Sequence, residues 1–112
     1  MFLDPLNHQP FRCEVEPHRE MVRVRPVGEL DLATVPVVEE QLSELEAAGF
    51  TSLTLDLRDV RFLGSTGLRM ILLWNAKSRA DGFTFRLIAG PPAVTRLFDM
   101  TGTSEQLDFV ES

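Results

Sequence analysis

Between Leu53 and Trp74 the hydrophobic pattern changes its period across one turn, and that change constrains the whole chain. Leu53, Leu55 and Leu57 alternate with Thr54, Asp56 and Arg58, the period of two expected of a strand with unlike faces. Val60 and Phe62 keep apolar groups coming through what reads as a short connection. Gly64-Ser65-Thr66-Gly67 then breaks the pattern, and Leu68, Ile71, Leu72 and Ala76 restart it at helical spacing. The segment predicts strand, glycine turn and helix, with Ser65 at or near the helix N-cap. A hydroxyl is thereby held at the positive end of a helix, between glycines that leave its surroundings open.

The flanking sequence repeats the same alternation of elements. Met1 to Pro10 carries two prolines and no periodicity, and is expected to be a flexible arm. Phe11, Cys13 and Val15 alternate with charged residues, and after a turn at Pro17 to Glu20 the segment from Met21 to Val27 alternates again, predicting a hairpin. Pro26 argues that the second arm ends or lies at an edge there, and Gly28-Glu29-Leu30-Asp31 reads as a turn. Thr34 is placed to cap a helix whose stripe is Val35, Val38, Leu42 and Leu45, ending at Gly49. Beyond the central segment, Asp81-Gly82 closes the second helix, and Phe83, Phe85 and Leu87 mark another strand. Pro92 opens a third helix with Val94, Leu97, Phe98 and Met100 apolar, and Leu107 to Val110 makes a last strand. The order ββαβαβαβ predicts an α/β fold: one mixed, mostly parallel sheet with helices packed on it.

Composition narrows the function. A chain of 112 residues forms one domain, and a net charge of -6 without a basic run argues against nucleic acid as a partner. The longest strongly apolar run, Met70 to Trp74, is too short to insert in a membrane, and Asp4, Pro5, Asn7 and His8 interrupt any leader-like core. One cysteine, Cys13, allows no internal disulfide, which fits a cytoplasmic setting.

Enzyme chemistry finds no complete set of groups. A nucleophile elbow needs a histidine after its serine, whereas His8 and His18 both precede Ser65 and the glycine spacing differs. The turn lacks the spacing and lysine of a phosphate-binding loop. His8, Cys13 and His18 match no metal pattern, so neither metal nor cofactor is expected. Asp56 and Asp59 read as carboxylates at a solvated strand end. Met70, Leu73 and Trp74 form a second apolar group on the central helix, which either neighbouring helices cover or a partner protein meets.

Four segments in order then carry a family likeness: Gly28-Glu29-Leu30-Asp31, Leu55-Asp56-Leu57, Phe62 to Leu68, and Arg96 to Gly102. Over Phe11 to Phe109 the chain resembles the STAS domain of bacterial anti-sigma factor antagonists, which assigns 11–112 to that domain. The resemblance implies a non-enzymatic protein that binds an anti-sigma factor and so frees a sigma factor. That partner is implied to be a serine kinase of the histidine-kinase-like ATPase class. Its phosphorylation of the antagonist ends the complex, and a PP2C-type phosphatase reverses it. By position the phosphorylated residue is Ser65, with Thr66 the adjacent hydroxyl, while Gly64 stands where the family usually has Asp. The expected partner-binding residues are Asp31, Gly64, Ser65, Thr66, Gly67, Leu68, Met70, Leu73 and Trp74, on a monomer or weak dimer. Two other readings stay open: a STAS scaffold of a signalling or lipid-transport complex that never cycles phosphate, and a small nucleotide-binding protein.

Overall fold

A computed structural model describes residues 10–111. Of the expected arm, all but Pro10 lies outside the described residues, as does His8. The elements are β1 (Arg12–His18), β2 (Met21–Leu30), α1 (Val35–Ala47), β3 (Ser52–Asp56), β4 (Val60–Leu63), α2 (Ser65–Asp81), β5 (Thr84–Ile88), α3 (Pro92–Thr101) and β6 (Phe109–Val110), with a 3-10 turn at Ser104–Gln106. Five strands run in the order β1-β2-β3-β5-β6, and β4 joins the far end of β2. β1 is antiparallel to β2, and the other pairings are parallel. The fold is therefore the expected α/β sheet, with one strand more than the sequence pattern predicted.

That extra strand is β4, expected to be a connection. It changes the role of β2. Met21 to Val24 pair with Ser52 to Leu55 of β3, whereas Gly28 to Leu30 pair with β4 across a bulge between Gly28 and Glu29. Pro26 sits at the handover, where that edge of β2 has no ladder partner for a missing N–H to lose. The strand consequently runs through Pro26 to Leu30, and the Gly28–Leu30 segment is not the turn its composition suggested. Gly28 adopts φ +126°, which accommodates the bulge without a side-chain clash.

One face of the sheet is apolar, in rows set by the register. Val22, Leu53 and Phe85 form one row; Val24, Leu55 and Leu87 form the next. All six are buried beneath α1, which contributes Val35, Val38 and Leu42, and α2, which contributes Met70, Ile71 and Trp74. The opposite face is charged. Glu16, Arg23, Thr54 and Arg86 lie side by side on four strands. Arg23 pairs with Glu16 at 2.6 Å, Arg86 with Asp108 at 3.2 Å, and Arg25 with Glu14 and Asp59. Exposed pairs of this kind add about 0–1 kcal/mol each, so they make the face water-compatible more than they stabilise it.

Two expectations about side chains are corrected. Met70 and Trp74 are core residues, 2% and 5% exposed, and Trp74 meets Phe83 edge to face at 6.1 Å. The buried stripe of α2 is Gly67, Met70, Ile71, Trp74, Asn75 and Ser78; of the expected stripe Leu68, Ile71, Leu72 and Ala76, Ile71 is fully buried, Leu68 and Leu72 are half-buried against the core and Ala76 is exposed. Burial of the two polar members is tolerable because both are satisfied: Asn75 Nδ2 donates to the Gln106 carbonyl at 3.0 Å, and Ser78 Oγ to the Asn75 carbonyl at 2.7 Å. Asp56 is likewise not a solvated strand end. Its carboxylate is fully buried and accepts from the Arg58 guanidinium at 2.7 Å and the Arg58 backbone N–H at 3.0 Å. Burial disfavours its charge, but the Arg58 donors outweigh burial and hold the carboxyl below its ordinary value.

Trp74→Ala should cost about 3–5 kcal/mol in urea unfolding, while Leu73→Ala on the same helix should stay within about 0.5 kcal/mol. Because the folded-state pKa of Asp56 is depressed, its stabilisation is complete above the unfolded value near ~3.9 and disappears as pH falls through the folded value. Unfolding midpoints measured down the acid limb should therefore fall less steeply in Asp56→Asn than in the parent chain.

Candidate functional site

β4 ends at Leu63, and α2 begins two residues later. Gly64 is the N-cap in extended conformation, φ -86° and ψ 177°, and Ser65 is the first helical residue, exposed to solvent. The first intrahelical bond runs from the Leu68 N–H to the Gly64 carbonyl at 3.0 Å. The backbone N–H groups of Ser65, Thr66 and Gly67 precede it, and no side chain caps this end. The hydroxyl of Ser65 therefore stands beside unpaired donors and the positive end of the helix dipole, surroundings that favour added negative charge.

The turn is tied to its neighbour by the Gly64 N–H, which donates to the Leu30 carbonyl at 3.0 Å. This brings Asp31 alongside. Its carboxylate is engaged within the chain: Oδ1 accepts from the N–H groups of Ala33 at 3.0 Å and Thr34 at 3.1 Å. Thr34 occupies the N-cap position of α1, but its hydroxyl donates to the Glu29 carbonyl at 2.6 Å and accepts from the Asp31 N–H at 3.0 Å. Asp31 and Thr34 together fold the β2–α1 connection against the Ser65 turn.

The two glycines of the turn differ in kind. A Cβ on Gly67 would lie 2.5 Å from Leu63 Cδ1 and 3.3 Å from both Leu30 Cβ and the Leu30 carbonyl oxygen, so any other residue here makes Leu63 move and the Leu30 backbone give by a few tenths of an ångström. A Cβ on Gly64 would press only on the edge of the Phe62 ring, at 3.2 Å, with the Leu30 carbonyl oxygen at an ordinary 3.7 Å, and its backbone angles suit any residue. Gly64 is therefore free of any backbone requirement for glycine.

Of the expected site residues, Asp31, Gly64, Ser65 and Thr66 gather at one end of the sheet, with Gly67 and Leu68 just behind. Leu73 is 53% exposed but lies about two turns further along α2, roughly 12 Å from Ser65 by helical rise. Met70 and Trp74 are not part of the surface. Three exposed side chains absent from the expectation surround the turn region instead: Leu32 after Asp31, Phe62 on β4 and Met100 on α3, 78%, 51% and 76% exposed. Met100 was expected in the apolar stripe of α3, but it follows Val94 by six positions, about 240° around a helix, and points away from the core side. That angle was available in the sequence. Phe62 was hidden by the missing strand, since only β4 fixes which of its residues face outward.

A groove of about 170 Å³ runs from Phe62 to Met100 between β4 and α3. Elsewhere, Cys13 on β1 is half-buried, and burial first, then the Glu14 charge, pushes its thiol up to about 11. Among the described residues no cluster of His, Cys, Asp and Glu could hold a metal ion, and no helix is long and apolar enough to cross a membrane.

Comparison with known proteins agrees with this geometry. The family model of the STAS domain matches residues 12–112. The anti-sigma-B factor antagonist of Bacillus subtilis is 30% identical over 98 residues, covering 88% of this chain and 89% of the relative. The crystal structure of an anti-sigma factor antagonist from Mycobacterium paratuberculosis superposes with a TM-score of 0.79 at 28% identity, covering 92% of this chain and 87% of that one. SpoIIAA, a Bacillus cell fate determinant solved in its phosphorylated form, has a TM-score of 0.69 at 21% identity, with coverage of 92% and 91%, a likeness of fold.

Gly67→Ala should destabilise the chain by about 1–3 kcal/mol, because Leu63 and the Leu30 backbone must both shift. Gly64→Asp should change the denaturation midpoint little, since only the exposed Phe62 ring has to move. Paired urea titrations of the two variants test whether the glycines are separable as described.

Proposed function

Because this chain belongs to the STAS domain family, and a relative aligned over nearly its whole length is an anti-sigma factor antagonist, we propose that it is itself an antagonist of an anti-sigma factor. It acts by binding rather than turnover, and in the cytoplasm. Its unphosphorylated form engages an anti-sigma factor that is also a serine kinase, releasing the sigma factor. Transfer of phosphate to Ser65 ends the complex, and a phosphatase of the PP2C type restores binding. The observation that carries this reading is the exposed Ser65 hydroxyl at the uncapped start of α2, next to Gly64, against which the exposed Phe62 ring lies.

The switch follows from where charge is tolerated. A phosphate adds about -1.5 to -2 charges near neutral pH. At the start of α2 the helix dipole and free N–H groups favour such a charge by ~0.3–1 kcal/mol, so the modified chain stays folded. Within a desolvated interface the same charge costs several kcal/mol unless a cation meets it. Micromolar to nanomolar complexes rest on about 8–12 kcal/mol, so that penalty separates bound from free. Gly64 bears on the rate of phosphorylation: the carboxylate usual in the family is absent beside Ser65, and the backbone does not demand this.

Ser65→Ala should keep its thermal midpoint and its affinity for the anti-sigma factor while accepting no phosphate from the kinase and ATP. Ser65→Asp should lose affinity by about tenfold or more with the midpoint unchanged. Phosphate incorporation into Ser65→Ala equal to that of the parent chain would overturn the assignment of this residue, and a parent chain that binds no anti-sigma factor would overturn the function.

A further inference from the structure

The groove between β4 and α3 lies beside the Ser65 turn and differs in charge from the rest of the molecule. Phe62 and Met100 stand on its walls with Leu97 half-buried between them, and Arg61 and Arg96 are exposed along it. No carboxylate lines it. Among the described residues, the ion pairs engage Arg12, Arg23, Arg25, Arg58, Lys77 and Arg86 but neither Arg61 nor Arg96. In a chain of net charge -6, a groove with two cations and no lining anion is a local inversion of charge. Two large apolar side chains, 51% and 76% exposed, add a desolvation drive that ionic contact alone lacks.

We propose that this groove docks an acidic segment of the partner protein, one carrying an apolar side chain that enters between Phe62 and Met100. The inference rests on the antagonist reading and extends its binding surface to α3. Charge complementarity selects the occupant: Arg61 and Arg96 call for carboxylates, and the apolar walls call for an anchor residue between them. A nucleic acid strand fits poorly, since its extended negative charge would have to lie against a molecule that is acidic elsewhere.

Continuity with Ser65 gives the groove a place in the switch. The Phe62 ring lies against Gly64, 3.2 Å from where a Cβ would stand, so the groove wall and the turn form one strip. Gly64 adds no carboxylate beside the groove, which has none in its lining, and Arg61 keeps its charge for the partner. Phosphate on Ser65 places negative charge at one end of the strip along which an acidic segment must lie. The modified chain then repels the segment from the groove as well as from the turn.

The experiment measures the affinity of the full chain for the purified anti-sigma factor from the same cell, at low and high salt. The parent chain is compared with Arg61→Glu/Arg96→Glu, Arg61→Lys/Arg96→Lys, Met100→Ser and Ser65→Asp. The proposal expects charge reversal to weaken binding by about tenfold or more and to flatten the salt dependence. The lysine pair should retain most of the affinity, and Met100→Ser should weaken binding without changing the salt dependence. All the substituted positions are exposed, so thermal midpoints should hold and serve as the control for folding. If the parent chain binds and Ser65→Asp releases it, but charge reversal leaves affinity within about twofold, the groove proposal is overturned and the antagonist reading stands. Loss on Met100→Ser without loss on charge reversal overturns the acidic occupant. A parent chain that binds no anti-sigma factor overturns both.

Discussion

The missing side chain at position 67 lets the rest of this structure assemble. α2 meets the sheet at its first turn, where Leu30 of β2 and Leu63 of β4 lie so close that even a methyl group would have to displace them. That approach sets the depth of the helix, and the depth sets which of its residues are buried. It also holds the Gly64 N–H on the Leu30 carbonyl, which locks the β4–α2 turn to the end of β2. The Ser65 hydroxyl is displayed by a rigid support, although Ser65 itself touches little of it.

The two faces of the sheet divide the work. One is covered by α1 and α2 over rows of valine, leucine and phenylalanine, and supplies the hydrophobic drive for folding. The other has cross-strand pairs of arginine with glutamate or aspartate, which take the place of a second helix layer without making the surface adhesive. With the open face made water-compatible in this way, the exposed apolar groups near the carboxyl ends of β2 and β4 stand out. Leu32 follows the end of β2, the Phe62 ring lies against Gly64, and Met100 extends the groove wall onto α3. Under the proposed function, a partner that reads this end reads the serine at the same time, so a single phosphate there would suffice as a switch.

Much of this was legible in the chain because the relevant forces are local. The alternation at Leu53, Leu55 and Leu57 specified a strand, the glycine turn specified a break, and the apolar spacing after it specified a helix. The strand and the helix appear there, with β3 ending at Asp56 and the break confined to Gly64, since α2 already includes Ser65 to Gly67. Of the predicted α1 stripe, Val35, Val38 and Leu42 are buried and Leu45 is half-buried against the core. The four-segment likeness led to the family that the comparison then established.

The remaining decisions belonged to tertiary structure. Whether Val60 to Leu63 is a strand depends on the edge of β2 beyond Pro26, which becomes available only when β2 passes from β3 to β4. Which side of α2 is buried depends on the close approach at Gly67 and on the partners of Asn75 and Ser78, so hydropathy alone left open whether Met70 and Trp74 are covered or meet a partner. Asp56 shows the same limit, since its burial is tolerated only through the fork of Arg58. Periodicity and turn chemistry act over a few residues, so the sequence by itself determined the elements other than β4 and the end of β2, their order and the serine at the helix start. Register, helix rotation and the exposure of Leu32, Phe62 and Met100 arise from contacts between distant segments, and these the tertiary structure decided.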